Sequence, residues 1–231
     1  MSETPPSAEQ LVALEREARR IYERYEVEVV EGFGFCPWAE RARREGEVEV
    51  RVVLEDDASL TRDPAPALAA VEAHAARDHV AVGLVVFPRV SMPRDAFARF
   101  VAELRERHAD AHGRTPPMAL AEFHPDAPAD LGAAARLVPF LRRSPDPTIQ
   151  CVRLSVLSEL RRGEEGTDFI DLSTTSLAEI LARPVKKPLH ERVAERNLET
   201  VCTRGTEAIE AVLADIAADR ATAYARVLGA G

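Results

Sequence analysis

An alternation of strand-length apolar runs with helix-length amphipathic ones is the strongest constraint on the fold. "EVEVRVVLE" (47–55) alternates charged and β-branched residues before turning continuously apolar, the pattern of a strand with one solvated face. "VAVGLVVFP" (80–88) is apolar throughout, as a buried strand is, and "PMALAEFHP" (117–125) is a third strand. Between them lie "DPAPALAAVEAHAARDH", an alanine-rich helix introduced by prolines, and "PRDAFARFVAELRERHADA", a further helix. With a fourth strand around Thr148 to Leu154, this order predicts an α/β or α+β fold, a single sheet of about four to five strands covered by helices on at least one face.

Both ends are expected to be helical. Ser7 is a natural N-cap with Gln10 completing a capping box, and Leu11, Leu14, Ala18, Ile21 and Tyr25 recur at helical spacing. After the Gly32 to Gly34 break, Pro37 suits the first turn of a second helix, which stops at Gly46. Downstream of the fourth strand, "EEGTDFIDLSTT" reads as a loop, "SLAEILA" as a helix, and residues 188–228 as one long or broken C-terminal helix.

The chain has 231 residues, 46% of them hydrophobic and 30% charged, which is a globular composition with enough length for a sizeable core. A single domain over residues 1–231 is expected, with a flexible stretch at 1–8. The net charge of −9, with both signs interleaved, disfavours non-specific binding to nucleic acid or to an anionic membrane. No apolar run approaches the ~20 residues of a membrane span, and the N-terminus lacks the pattern of a signal peptide. Cys36, Cys151 and Cys202 are odd in number and widely spaced, so reduced thiols and a cytoplasmic location are expected.

Four stretches carry residues suited to chemistry. In "EGFGFCPWAERARREG", Cys36 precedes a helix start, where unpaired N–H groups favour thiolate; its aromatic neighbours equally suit a buried packing residue. In "AEFHPDAP", His124 at a strand end can serve as general base, proton donor or metal ligand with Asp126 orienting it, or Pro125 simply ends the strand and Asp126 caps the next segment. "LRRSPDPT" offers Arg142 and Arg143 before Ser144 and Thr148 in a proline-stiffened loop, where a guanidinium can meet a carboxylate or phosphate. The alternative is the solvated end of a helix stopped by Pro145, though Arg153, inside an apolar strand, needs a partner if buried. "HERVAERN" sets Arg192 and Arg196 one turn apart, a solvated face unless the helix closes over a site. Cys36, His124 and an acidic residue could furnish three zinc ligands, but no pair has the close spacing of a structural site. Phosphate-loop, dinucleotide and nucleophile-elbow signatures are missing, and no cofactor is indicated.

"FCPWA", "FHPD", "RSPDPT" and "ERN", in this order, resemble a bacterial family, domain of unknown function 1415, over roughly residues 10 to 200. The resemblance implies that Cys36, Pro37, His124, Pro125, Asp126, Arg143, Ser144, Pro145, Thr148, Glu195, Arg196 and Asn197 occupy shared motif positions, and supplies no reaction. Trp38, Ala127, Arg142 and Asp146 depart from the residues the family pattern leads one to expect. Separate polar motifs retained in register point to one assembled pocket. The expectation is an enzyme acting on a small anionic molecule: Cys36 as nucleophile or redox thiol, His124 and Asp126 as acid/base pair, and Arg143, Ser144, Thr148, Arg153, Arg196 and Asn197 around the substrate. A non-catalytic anion- or partner-binding module and a metal-binding protein using Cys36 and His124 are the rivals.

Overall fold

The structure is a computed structural model that describes residues 5–128, 130–158 and 189–229. The predicted loop at "EEGTDFIDLSTT" and helix at "SLAEILA" lie outside the described residues. At the N-terminus, Ser7 Oγ accepts from Gln10 N–H and Gln10 Oε1 accepts from Ser7 N–H, the reciprocal pair that starts α1 (Ala8–Tyr25). Beyond it the chain follows α2 (Ala39–Arg44), β1 (Val48–Val52), α3 (Asp57–Arg62), α4 (Ala65–Ala75), β2 (Val82–Val86), α5 (Arg94–Ala111), β3 (Met118–Phe123), α6 (Ala134–Leu137), β4 (Thr148–Arg153), α7 (Leu189–Arg204) and α8 (Thr206–Leu228). The C-terminal helix is therefore broken, at Gly205, whose φ of 82° a side chain would resist. Helix α3 has no counterpart among the expected elements; Asp56 caps it through its carboxylate and the Ser59 N–H.

The four strands form one mixed sheet in the order β1-β2-β4-β3. Parallel pairing joins β1 to β2, and β4 runs antiparallel to both β2 and β3. This α/β sheet has helices on both faces. Period-2 alternation sends Val82, Leu84, Val86, Ala121 and Phe123 to one face, with α1 and α8, and Val85, Leu120, Ile149 and Cys151 to the other, with α4 and α5. Among the described residues no helix is long and apolar enough to cross a membrane.

Two polar devices fix the helices on this sheet. Arg153 extends from β4 and donates to the carbonyls of His74, Ala75, Arg77 and Val80, gathering the orphan acceptors at the end of α4. Asp146, 1% exposed, accepts from Arg220 Nε at 2.6 Å and Tyr224 OH at 2.7 Å, joining the approach to β4 to α8. Helix α8 is also clasped to α1, where Asp219 accepts from Arg20 and Arg24 at 2.7 to 2.8 Å. Burial pushes the Asp146 carboxyl upward although Arg220 and Tyr224 both pull it down. Removing the carboxylate strands a guanidinium and a hydroxyl in a packed interface. The variant Asp146→Ala should lose about 3 kcal/mol in urea denaturation, whereas Asp95→Ala, on the exposed face of α5, should change stability little.

Candidate functional site

A cavity of about 420 Å³ opens on the α1 face of the sheet, within the size range of small-molecule sites. Its floor is apolar, with Val48, Val82, Leu84 and Phe123 from three strands. Its polar groups are few: Tyr22 and Glu26 on one side, Cys36, Arg142, Gln150 and Asn197 on the others.

Each element presents its side chain for a local reason. Beyond Tyr25 the first helix continues as a π-helix, Glu26–Glu31, so Tyr22, Glu26 and Val30 face the cavity from one continuous rod. The wide turn is seen in the bonds Gly32 N–H to Val27 O and Phe35 N–H to Val30 O, each spanning five residues. Gly34, with φ of 68°, then reverses the chain and delivers Cys36 to the rim. Asn197 of α7, 5% exposed, donates from Nδ2 to the Phe35 carbonyl at 3.1 Å and holds that loop in place.

Arg142 stands on the short 3₁₀ turn Phe140–Arg142 just before β4. Its guanidinium lies 5.6 Å from the Phe123 ring centre, and among the described residues it has no side-chain hydrogen bond or ion pair. The nearest carboxylate influence, Glu122, is already engaged by Arg105 at 2.7 Å. Desolvation pulls the Arg142 guanidinium below its usual range. On the opposite wall, burial pushes the Glu26 carboxyl up to about 7, helped by Glu31 and opposed by Arg43. Burial also pushes the Cys36 thiol up, outweighing the backbone N–H groups of Trp38 and Ala39 that point at it. The expectation of a helix start favouring thiolate therefore gives way to desolvation: α2 has only six residues, and its N-terminal field is weaker than the cost of burying the charge.

Of the residues expected at a site, the structure brings Cys36 and Asn197 to this cavity and places the others elsewhere. His124, 4% exposed, borders a second recess of about 30 Å³, barely the size of a water, which Arg142 also lines. Its Nε2 faces the Met92 carbonyl at 3.0 Å and its Nδ1 accepts from Asp126 N–H at 3.1 Å, so both nitrogens are committed to holding the turn after β3. The Asp126 carboxylate is 80% exposed and 3.9 Å from the ring. Arg143 donates to the Ala127 carbonyl and stacks on Phe140. Ser144 and Thr148 both donate to the Asp146 carbonyl, shaping the loop that offers the Asp146 carboxylate to α8. Arg153 is spent on α4, and Arg196 is exposed on α7. Sequence reasoning missed Glu26 and Gln150, and offered Arg142 for an anion only alongside Arg143. The available signal was Arg142 itself, an extra cation beside Arg143 at the entry to a buried strand.

The family of proteins of unknown function designated DUF1415 matches residues 18–171. The chain belongs to this family. The match takes in Cys36, His124 and the "RSPDPT" loop, while the "ERN" residues of α7 lie beyond it. No curated protein and no solved structure matches the chain.

The raised Glu26 carboxyl has a measurable consequence. A carboxyl whose folded-state value exceeds its ordinary 4.5 favours the protonated form, so its contribution is intact below that value and is lost as pH rises through about 7. Thermal denaturation should show Glu26→Gln gaining stability relative to wild type between about pH 5 and about pH 8. A difference that stays constant across that window would place Glu26 in solvent.

Proposed function

We propose that the protein binds a small organic anion whose acid group pairs with Arg142 and whose apolar body lies on Val48, Val82, Leu84 and Phe123. The observation that carries this reading is the Arg142 guanidinium, which stacks on Phe123 with no side-chain hydrogen bond or ion pair among the described residues and borders both the apolar cavity and the recess beside His124. A half-buried cation without a counter-charge gains from one, and the planar fork of arginine matches a carboxylate bidentately. Among the described residues only one cation lines the cavity, and Glu26 opposite becomes negative above about pH 7. A monocarboxylate suits that balance better than a doubly charged phosphate.

A specific observation also favours catalysis over storage. Glu26 titrates near neutrality and sits beside the Cys36 thiol, whose ionisation it opposes. A carboxyl near the working pH can deliver or remove a proton. In an enzymatic version of the same site, Glu26 is the acid/base group and Cys36 a neutral thiol at the rim. In this version His124 is a positioning residue, its nitrogens engaged by the Met92 carbonyl and the Asp126 N–H and its recess shared with Arg142. The three free cysteines fit a reducing, cytoplasmic setting.

Differential scanning fluorimetry with a panel of aliphatic and aryl monocarboxylates and matched alkyl phosphates tests the binding reading. At least one monocarboxylate should stabilise wild type, by more than its phosphate counterpart. Arg142→Met should weaken that ligand on the order of 10-fold to 100-fold, the loss of one charge-assisted pair. Stabilisation that persists in Arg142→Met would show that the guanidinium is not the anchor.

A further inference from the structure

On the opposite face of the sheet, where α4 packs on α5, three ligand-type side chains meet. His108 lies in the last turn of α5 and His112 caps its C-terminus, their ring centroids 4.8 Å apart. Glu72 of α4 lies across from both, with Oε1 2.6 Å from His108 Nδ1 and Oε2 2.7 Å from His112 Nε2. Ligand atoms from all three residues fall within 4.8 Å of one another. His108 is fixed in the core, while the His112 and Glu72 side chains are 33% and 32% exposed and border solvent. We propose that Glu72, His108 and His112 form a site for a divalent transition metal of the Zn²⁺ class. His108 Nδ1, His112 Nε2 and a Glu72 oxygen are the ligands, and water fills the open position.

The donor set decides the class of ion. Two imidazoles and one carboxylate suit Zn²⁺, Co²⁺, Ni²⁺ or Cu²⁺, whereas Mg²⁺ and Ca²⁺ demand oxygen shells. Ligand bonds near 2.0 to 2.1 Å around a tetrahedral ion put neighbouring ligand atoms roughly 3.4 Å apart. Glu72 therefore has to withdraw from each ring by less than about 1 Å, a rotamer adjustment at a residue that is a third exposed.

His108 Nε2 is buried without a partner. With metal on Nδ1 that nitrogen carries the proton and lacks the outer acceptor that tightens most zinc histidines. The site is thus expected to bind about 10-fold to 100-fold less tightly than one with a complete outer shell. Occupied, it ties α4 to α5 and stabilises the fold by mass action.

Chelator-stripped full-length protein should take up one equivalent of Co²⁺, with visible d–d bands and no near-ultraviolet thiolate band. Calorimetry should show one equivalent of Zn²⁺, which also raises the melting temperature. His112→Ala, at a partly exposed position that does not threaten folding, should abolish both effects. Glu72→Gln should weaken binding on the order of tenfold or more, and the exposed His79→Ala should bind as wild type does. No saturable uptake by wild type, uptake that survives His112→Ala, or a thiolate band would each overturn the assignment.

Discussion

The Asp146 carboxylate, buried between Arg220 and Tyr224, is the interaction on which the α1 face depends. It sits one short loop before β4, the strand that runs between β2 and β3 and sets their spacing. Through Arg220 and Tyr224 the same carboxylate holds α8, and through Asp219 α8 holds α1. The cavity is what remains between α1, its π-helical extension and the sheet once those contacts are made. Ser144 and Thr148, which resemble ligand-binding residues in sequence, serve this anchor by bonding the Asp146 carbonyl.

The electrostatics of the cavity follow from its shape. A floor of Val48, Val82, Leu84 and Phe123 excludes water, so the few polar groups on the walls feel each other and their own desolvation. Burial raises Glu26 and Cys36 and lowers Arg142. All three shifts favour neutral forms, the consequence of taking titratable groups out of water. Phe123, with its ring below Arg142, gives the guanidinium a partial partner and keeps it oriented.

Much of the fold was legible because its signals are local. The alternation in "EVEVR", the apolar run in "VGLVV" and the Ser7 to Gln10 capping box each depend on a few neighbouring residues, and each forms the expected element. Helix α3 escaped because six residues hold too few apolar positions to show a period. The site was less legible because it depends on strand order. Inserting β4 between β2 and β3 keeps His124 out of the cavity that Cys36 lines and puts Arg142 on the border of both that cavity and the His124 recess. Adjacent arginines in "LRRSP" diverge for the same reason: Arg143 turns to Ala127 and Phe140, Arg142 to Phe123. The His108 and His112 spacing was visible in "RHADAHG", but Glu72 joins it only when α4 packs on α5.

An anion held by Arg142 would occupy the space that Cys36 borders. The most direct measurement is the rate of Cys36 alkylation by iodoacetamide, read by mass spectrometry, with and without a saturating monocarboxylate identified by its stabilising effect. Cys202, exposed on α7, serves as the internal reference. The bound ligand should slow Cys36 labelling several-fold and leave Cys202 unchanged. Labelling of Cys36 that proceeds at the same rate under saturation would contradict it, because the bound anion would then lie outside the cavity.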